Sequence, residues 1–187
     1  MLNHPNHHLK LGSVMRRVGK RISLIGNING DNLCAAASNE GEILLTEDLL
    51  SILEEGELIF CVCHELAHVS LGHFEATSQF QENQIQVGIE MIKSGKPENI
   101  VLAKLKSEIV ALYHQHEYEA DKEGALTAVG RLSVRGEECV SALRKIVEFA
   151  DSQQRGYLQF LSSLTHPPIA DRIDRIAIML LKRGYLK

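Results

Sequence analysis

Residues 64–68 read His64-Glu65-Leu66-Ala67-His68, and no other stretch restricts the fold and chemistry of this chain as much. On a helix, two histidines four apart lie nearly above one another, about 40° apart in azimuth and about 6 Å along the axis. Both imidazoles can then grip one metal ion. A glutamate directly after the first histidine can reach a water bound to the same ion, as a general base must. The preceding residues 57–63, ELIFCVC, are apolar enough for a buried helix, and Gly72 shortly after the string can end it. Ionisable side chains in a core helix need partners. The bland alternative is two solvated histidines on a polar face.

A length of 187 residues supports one domain with a real core. The formal charge of −4, without a basic run, argues against nucleic acid as a partner. No apolar run is long enough to cross a bilayer, and the N-terminus lacks the apolar stretch of a signal peptide. As written, the chain is expected in the cytoplasm; the alternatives are membrane association through a partner and, if the sequence is truncated, a membrane-associated or exported location. Cys34, Cys61, Cys63 and Cys139 are too sparse for a disulfide framework. Cys61 lies one helical turn before His64 and could approach a metal, but Cys61 and Cys63 read first as small buried hydrophobes.

Residues 1–10, with His4, His7, His8 and a proline, read as a flexible tail, and residues 11–187 as a single domain. Residues 11–20 suit a short amphipathic helix with Val14, Met15 and Val18 inward. Residues 21–25 have strand character, residues 26–32 are loop chemistry, and residues 33–46 suit a hairpin turning at residues 38–41. Thr46 is placed to cap a helix running to residue 53, with Glu47 and Asp48 in its first turn. Helical spacing covers residues 74–93, 99–130 and 133–150, with a break at Lys96-Pro97. Residues 151–156 form a polar link, residues 157–164 a short helix or turn, and Pro167-Pro168 open a last helix. The expected class is α+β, mostly α, with one small antiparallel sheet beside the helix of His64 and His68.

A catalytic zinc site needs a third protein ligand and an open position. His73 is five residues beyond His68 and would face about 140° away on a continuous helix. Leu71 and Phe74 also stand where a metzincin requires Gly and His, so His73 is set aside as a ligand. Glu117, in Glu117-Tyr118-Glu119-Ala120-Asp121, can approach the ion from a later helix. Asp121 shares its face and could accept a hydrogen bond from the non-ligating nitrogen of a zinc histidine. Glu119 lies on another face, toward solvent. Taken alone, residues 117–123 read equally as an acidic surface salted by Lys122.

Together, H-E-L-A-H and E-Y-E-A-D resemble the zinc peptidases of metallopeptidase family forty-eight, which include HtpX-type heat-shock proteases, Oma-type mitochondrial proteases and CAAX prenyl proteases. Asn32-Leu33-Cys34-Ala35 and residues 41–46, GEILLT, are similar to the family's strand pair, and Glu57-Leu58 to the start of its metal helix. Thr165-His166-Pro167-Pro168, followed by Asp171-Arg172-Ile173, resembles its C-terminal signature. The resemblance runs over roughly residues 11–183. It implies a zincin-like (gluzincin) catalytic domain with one Zn²⁺ per chain held by His64, His68 and Glu117. Glu65 is then the general base and Asp121 a support. In relatives the His166 segment comes near the metal, to stabilise the oxyanion or to occupy the open position; the alternative is a loop histidine capping the last helix. Arg172 would anchor that loop or a substrate carboxylate, or form a surface ion pair. Two departures stand out. Many members carry transmembrane helices, and Tyr113 and His114 replace a Ser-Arg pair often found before the ligand glutamate.

The activity implied is endopeptidase cleavage of extended or unfolded polypeptide, with the substrate added as a strand along Leu33, Cys34, Ala35, Ala36 and Ala37. A latent or silent zinc-bound domain that binds polypeptide partners is the alternative from another class, and the intact Glu65 argues against it. A deformylase-type hydrolase also uses H-E-x-x-H, but takes a cysteine from an upstream strand and ends soon after the motif. Here 119 residues follow His68.

Overall fold

Every residue from 56 to 64 is buried, so this segment cannot lie at a surface as an amphipathic helix would; other elements must surround it. A computed structural model describes residues 5–26, 35–38, 40–152 and 165–187. In chain order it contains α1 (Pro5–Val18), β1 (Ile22–Ile25), β2 (Ala35–Ala37), β3 (Ile43–Thr46), α2 (Glu47–Ile52), α3 (Glu55–Ser70), α4 (His73–Lys93), α5 (Glu98–Leu132), α6 (Gly136–Ser152) and α7 (Ile169–Lys182). The central helix is α3. It packs on α5, α6, α1, α4 and the sheet. Phe60, Leu58, Ile59 and Val62 form the middle of the core with Ile43, Leu45, Leu50, Ile176 and Leu180. Full burial of a side chain such as Phe60 is worth about 1.5–3 kcal/mol.

The start of α3 is held twice over. Glu54 and Glu57 form a reciprocal capping box, with Glu54 N–H donating to Glu57 Oε2 over 2.7 Å. Glu57 also accepts from Ser141 Oγ at 2.6 Å and from Lys145 Nζ at 2.8 Å, which ties α3 to α6. The buried Glu57 would titrate high from burial alone. Its bonds to Lys145, Ser141 and the Glu54 amide outweigh that and hold it below the ordinary carboxylate range.

The mostly-α class with one small sheet is the observed one, with local differences. The first helix begins at Pro5 rather than residue 11, so residues 5–10 are helical and not a tail. Proline suits the first helical position, and Lys10 Nζ donates to the carbonyls of Leu50 and Leu53 at 2.8 Å, pinning this turn to α2. The sheet is mixed rather than antiparallel. In the order β1-β3-β2, the hairpin pairs Ala35 with Leu45 and Ala37 with Ile43, while β1 joins the other edge of β3 in parallel. Ile22 is thereby buried against the core. Thr46 takes the N-cap position of α2 without a side-chain capping bond. The helix expected from residue 133 begins at Gly136, because Ser133 adopts φ 53° as the C-cap of α5. Readings on residues 1–4 (including His4), 27–34, 39 and 153–164 lie outside the described residues.

Candidate metal centre

Helix α3 presents His64 and His68 on one face, and the face of α5 that packs there carries Glu117, Asp121 and Gly124. The close approach depends on Gly124: a Cβ built there would meet His64 Cα and N at 2.8 Å. With that contact made, His64, His68 and Glu117 each direct one donor atom into a common space. The separations are 3.2 Å between the two Nε2 atoms, 3.5 Å from His64 Nε2 to Glu117 Oε2, and 3.3 Å from His68 Nε2 to Glu117 Oε1. Tetrahedral donors bonded to zinc at about 2.0–2.1 Å lie about 3.3 Å apart. The two imidazole donors thus have the spacing of two corners of a zinc tetrahedron, and the Glu117 carboxylate comes within 3.5 Å of each nitrogen, through a different oxygen in each case.

The surroundings fit a cation as well. Glu117 Oε2 is buried and makes no hydrogen bond, although Arg172 Nη1 lies 3.1 Å away. Glu117 and Asp121 are both held in their charged forms against the single cation Arg172, which leaves the cluster with surplus negative charge for a cation. Burial disfavours the His64 imidazolium, yet its contacts with Asp121 and Glu117 hold its pKa up to about 10. A metal binding there must displace that proton.

Asp121 Oδ1 lies 3.0 Å from His64 Nδ1, the nitrogen turned away from the common space. Arg172 donates to the same carboxylate through Nε at 2.8 Å and Nη2 at 2.7 Å. Burial works against the Asp121 charge, but Arg172 and His64 hold its pKa down to about 2. Glu117 is likewise held well below its ordinary value, against its burial, by His64, His68 and Arg172. Arg172 is therefore a buried cation between two carboxylates of α5, and not the surface ion pair that is one of its readings from the sequence. Glu65 sits on the same helical turn as the two histidines, and burial pushes its carboxyl up.

His166 is exposed, with Nε2 3.7 Å from Glu117 Oε1 and Nδ1 2.8 Å from Thr165 Oγ1. It thus approaches the donor cluster from the chain leading into α7. Cys61 and Cys63 are core residues, both pushed up by burial, and neither joins the donor group. Ala35, Ala36 and Ala37 form the half-buried edge strand β2, which packs near α3; Leu33 and Cys34 lie outside the described residues.

Two features escape the linear reading. Gly124 is seven residues after Glu117 on the same face, a small residue whose spacing could have signalled close packing. His73 is the other. Gly72 takes φ 70°, a left-handed conformation that ends α3 and starts α4 in a new direction. The 140° offset of a continuous helix therefore does not apply, and His73 turns back onto His68.

The model of Peptidase family M48 matches residues 28–179. The chain belongs to this family of zinc metallopeptidases, with the zincin-like fold. No curated protein and no solved structure matches it. Among the described residues, no helix is long and apolar enough to cross a membrane.

Proposed function

We propose that this chain is a zinc-dependent endopeptidase that cleaves extended or unfolded polypeptide. The observation that carries the reading is the convergence of His64 Nε2 and His68 Nε2, 3.2 Å apart, with the Glu117 carboxylate, an oxygen of which lies within 3.5 Å of each, and with Glu65 on the same turn. Those three residues would hold the ion. Zinc bound there supplies a Lewis acid and a water of lowered pKa. The Glu65 carboxylate takes a proton from the attacking water and passes it to the leaving amine. Asp121 orients His64, and Arg172 keeps Asp121 and Glu117 charged. His166 Nε2–H donates to the oxygen that becomes negative, a contribution of about 3 kcal/mol by analogy with other oxyanion donors. The substrate adds to the edge of β2, so main-chain hydrogen bonds supply affinity with little demand on sequence.

The test is a quenched-peptide or casein assay with zinc present. Glu65→Gln should keep its zinc and lose about 10²–10⁴ in rate. Robust cleavage by that variant would remove Glu65 from the mechanism. Glu117→Ala should lose most of its zinc, and unchanged metal content would show the third ligand to be wrong.

One observation favours a latent form as a second reading: His166 Nε2 already lies 3.7 Å from a ligand oxygen. If His166 closes the open position, His166→Ala raises activity. If it donates to the oxyanion, the same change lowers it.

A further inference from the structure

His73 and Glu119 have no part in the mechanism above, yet they form a continuous chain behind one of its ligands. His73 Nδ1 lies 3.0 Å from His68 Nδ1, and His73 Nε2 lies 3.1 Å from Glu119 Oε2. Two imidazole nitrogens this close must share one proton, because two lone pairs repel and two N–H groups collide. His68 turns Nε2 toward His64 and Glu117. When that nitrogen binds a cation, the His68 proton sits on Nδ1, so His73 Nδ1 must accept it. The proton of His73 then falls on Nε2, which faces the Glu119 carboxylate.

We propose that His73 and Glu119 are positioning residues for the metal ligand His68, acting as a carboxylate–imidazole–imidazole chain that fixes its tautomer and ring plane. The proposal rests on the zinc reading of the site. The two ligand histidines would then be oriented differently: His64 by Asp121 directly, His68 by Glu119 through an intervening ring. The intervening ring is itself clamped. His73 is buried and stacks on His116 with centroids 4.1 Å apart and planes 1° from parallel. His116 in turn lies 3.3 Å from Thr77 Oγ1 through Nδ1. Gly72 makes the geometry possible by reversing the chain between His68 and His73.

The experiment is zinc affinity by competition with a chromogenic chelator, with circular dichroism to confirm folding and absorption of the Co²⁺-loaded protein to report ligand geometry. His73→Leu should lose about 10–100-fold in affinity and alter the cobalt spectrum. His73→Asn, whose side-chain oxygen replaces Nδ1 as acceptor, should recover most of both. Wild-type affinity in His73→Leu overturns the proposal. So does a His73→Asn protein no better than His73→Leu, which would make the role one of packing. Should His73→Leu fail to fold, the exposed Glu119 decides: Glu119→Ala must bind zinc more weakly than Glu119→Gln, which keeps an acceptor, and equal affinities overturn the chain. A wild-type protein that binds no zinc overturns the site reading and this proposal with it. One that binds zinc but cleaves no peptide overturns only the peptidase reading, and the affinity ranking still tests the chain.

Discussion

Arg172 shows how much one side chain decides at this site. Asp121 and Glu117 lie four residues apart on one helix face, where two buried carboxylates repel each other. The guanidinium reaches both, with three different nitrogens at 2.7–3.1 Å. An exposed ion pair would contribute about 0–1 kcal/mol. Removing one partner from a buried cluster costs about 3–5 kcal/mol, because the remaining charges stay buried and unpaired. Arg172→Leu is therefore expected to lower unfolding stability by about 3–5 kcal/mol in urea titration of the metal-free protein. Arg172→Lys should rescue little of this, since an ammonium cannot make the bidentate pair and reach Glu117 as well.

Between elements, the contact that matters most is α5 on α3 at Gly124. Alanine there would gain about 1 kcal/mol of helix propensity. It would also place a methyl group against the His64 backbone, where neither atom it meets can move aside. Overpacking of this kind costs about 1–3 kcal/mol and shifts the helix that carries Glu117. Gly124→Ala should therefore reduce both stability and zinc affinity, read by urea unfolding and chelator competition; a more stable variant with full affinity would contradict the tight approach. The α3–α6 junction predicts a pH effect. The Glu57 pKa is lowered from 4.5 in the folded chain, so its contribution is present above the unfolded value and fades as pH falls through the folded one. Glu57→Gln should be less stable than the parent near pH 7, and the gap should narrow as the solution is acidified below about pH 4.

For the whole molecule, zinc would act as a clasp between α3 and α5, the central helix and its largest neighbour. An ion that binds only the folded state stabilises it by about 2.7 kcal/mol at a free concentration 100 times its Kd. Thermal unfolding should shift upward with added zinc and back with a chelator. Glu117→Ala should abolish most of the shift, since it removes the only ligand from α5. An equal shift in that variant would mean the ion binds elsewhere.

Helical repeat is local, so the chain alone determined that His64 and His68 share a face with Glu65 beside them, and that Glu117 and Asp121 share another. The same local rules made the hairpin and the mostly helical class legible. They could not reach distances between elements. That the two faces meet depends on a glycine 60 residues from His64 accepting backbone contact, and no periodicity records that. The burial of Arg172 between two carboxylates follows from where α7 docks, and the return of His73 onto His68 from one left-handed residue at Gly72. The parallel pairing of β1 and the helix starting at Pro5 likewise answer to surfaces supplied by distant parts of the chain. Sequence spacing sets which side chains can face the same way; only packing decides which of them stand within a coordination sphere of one another.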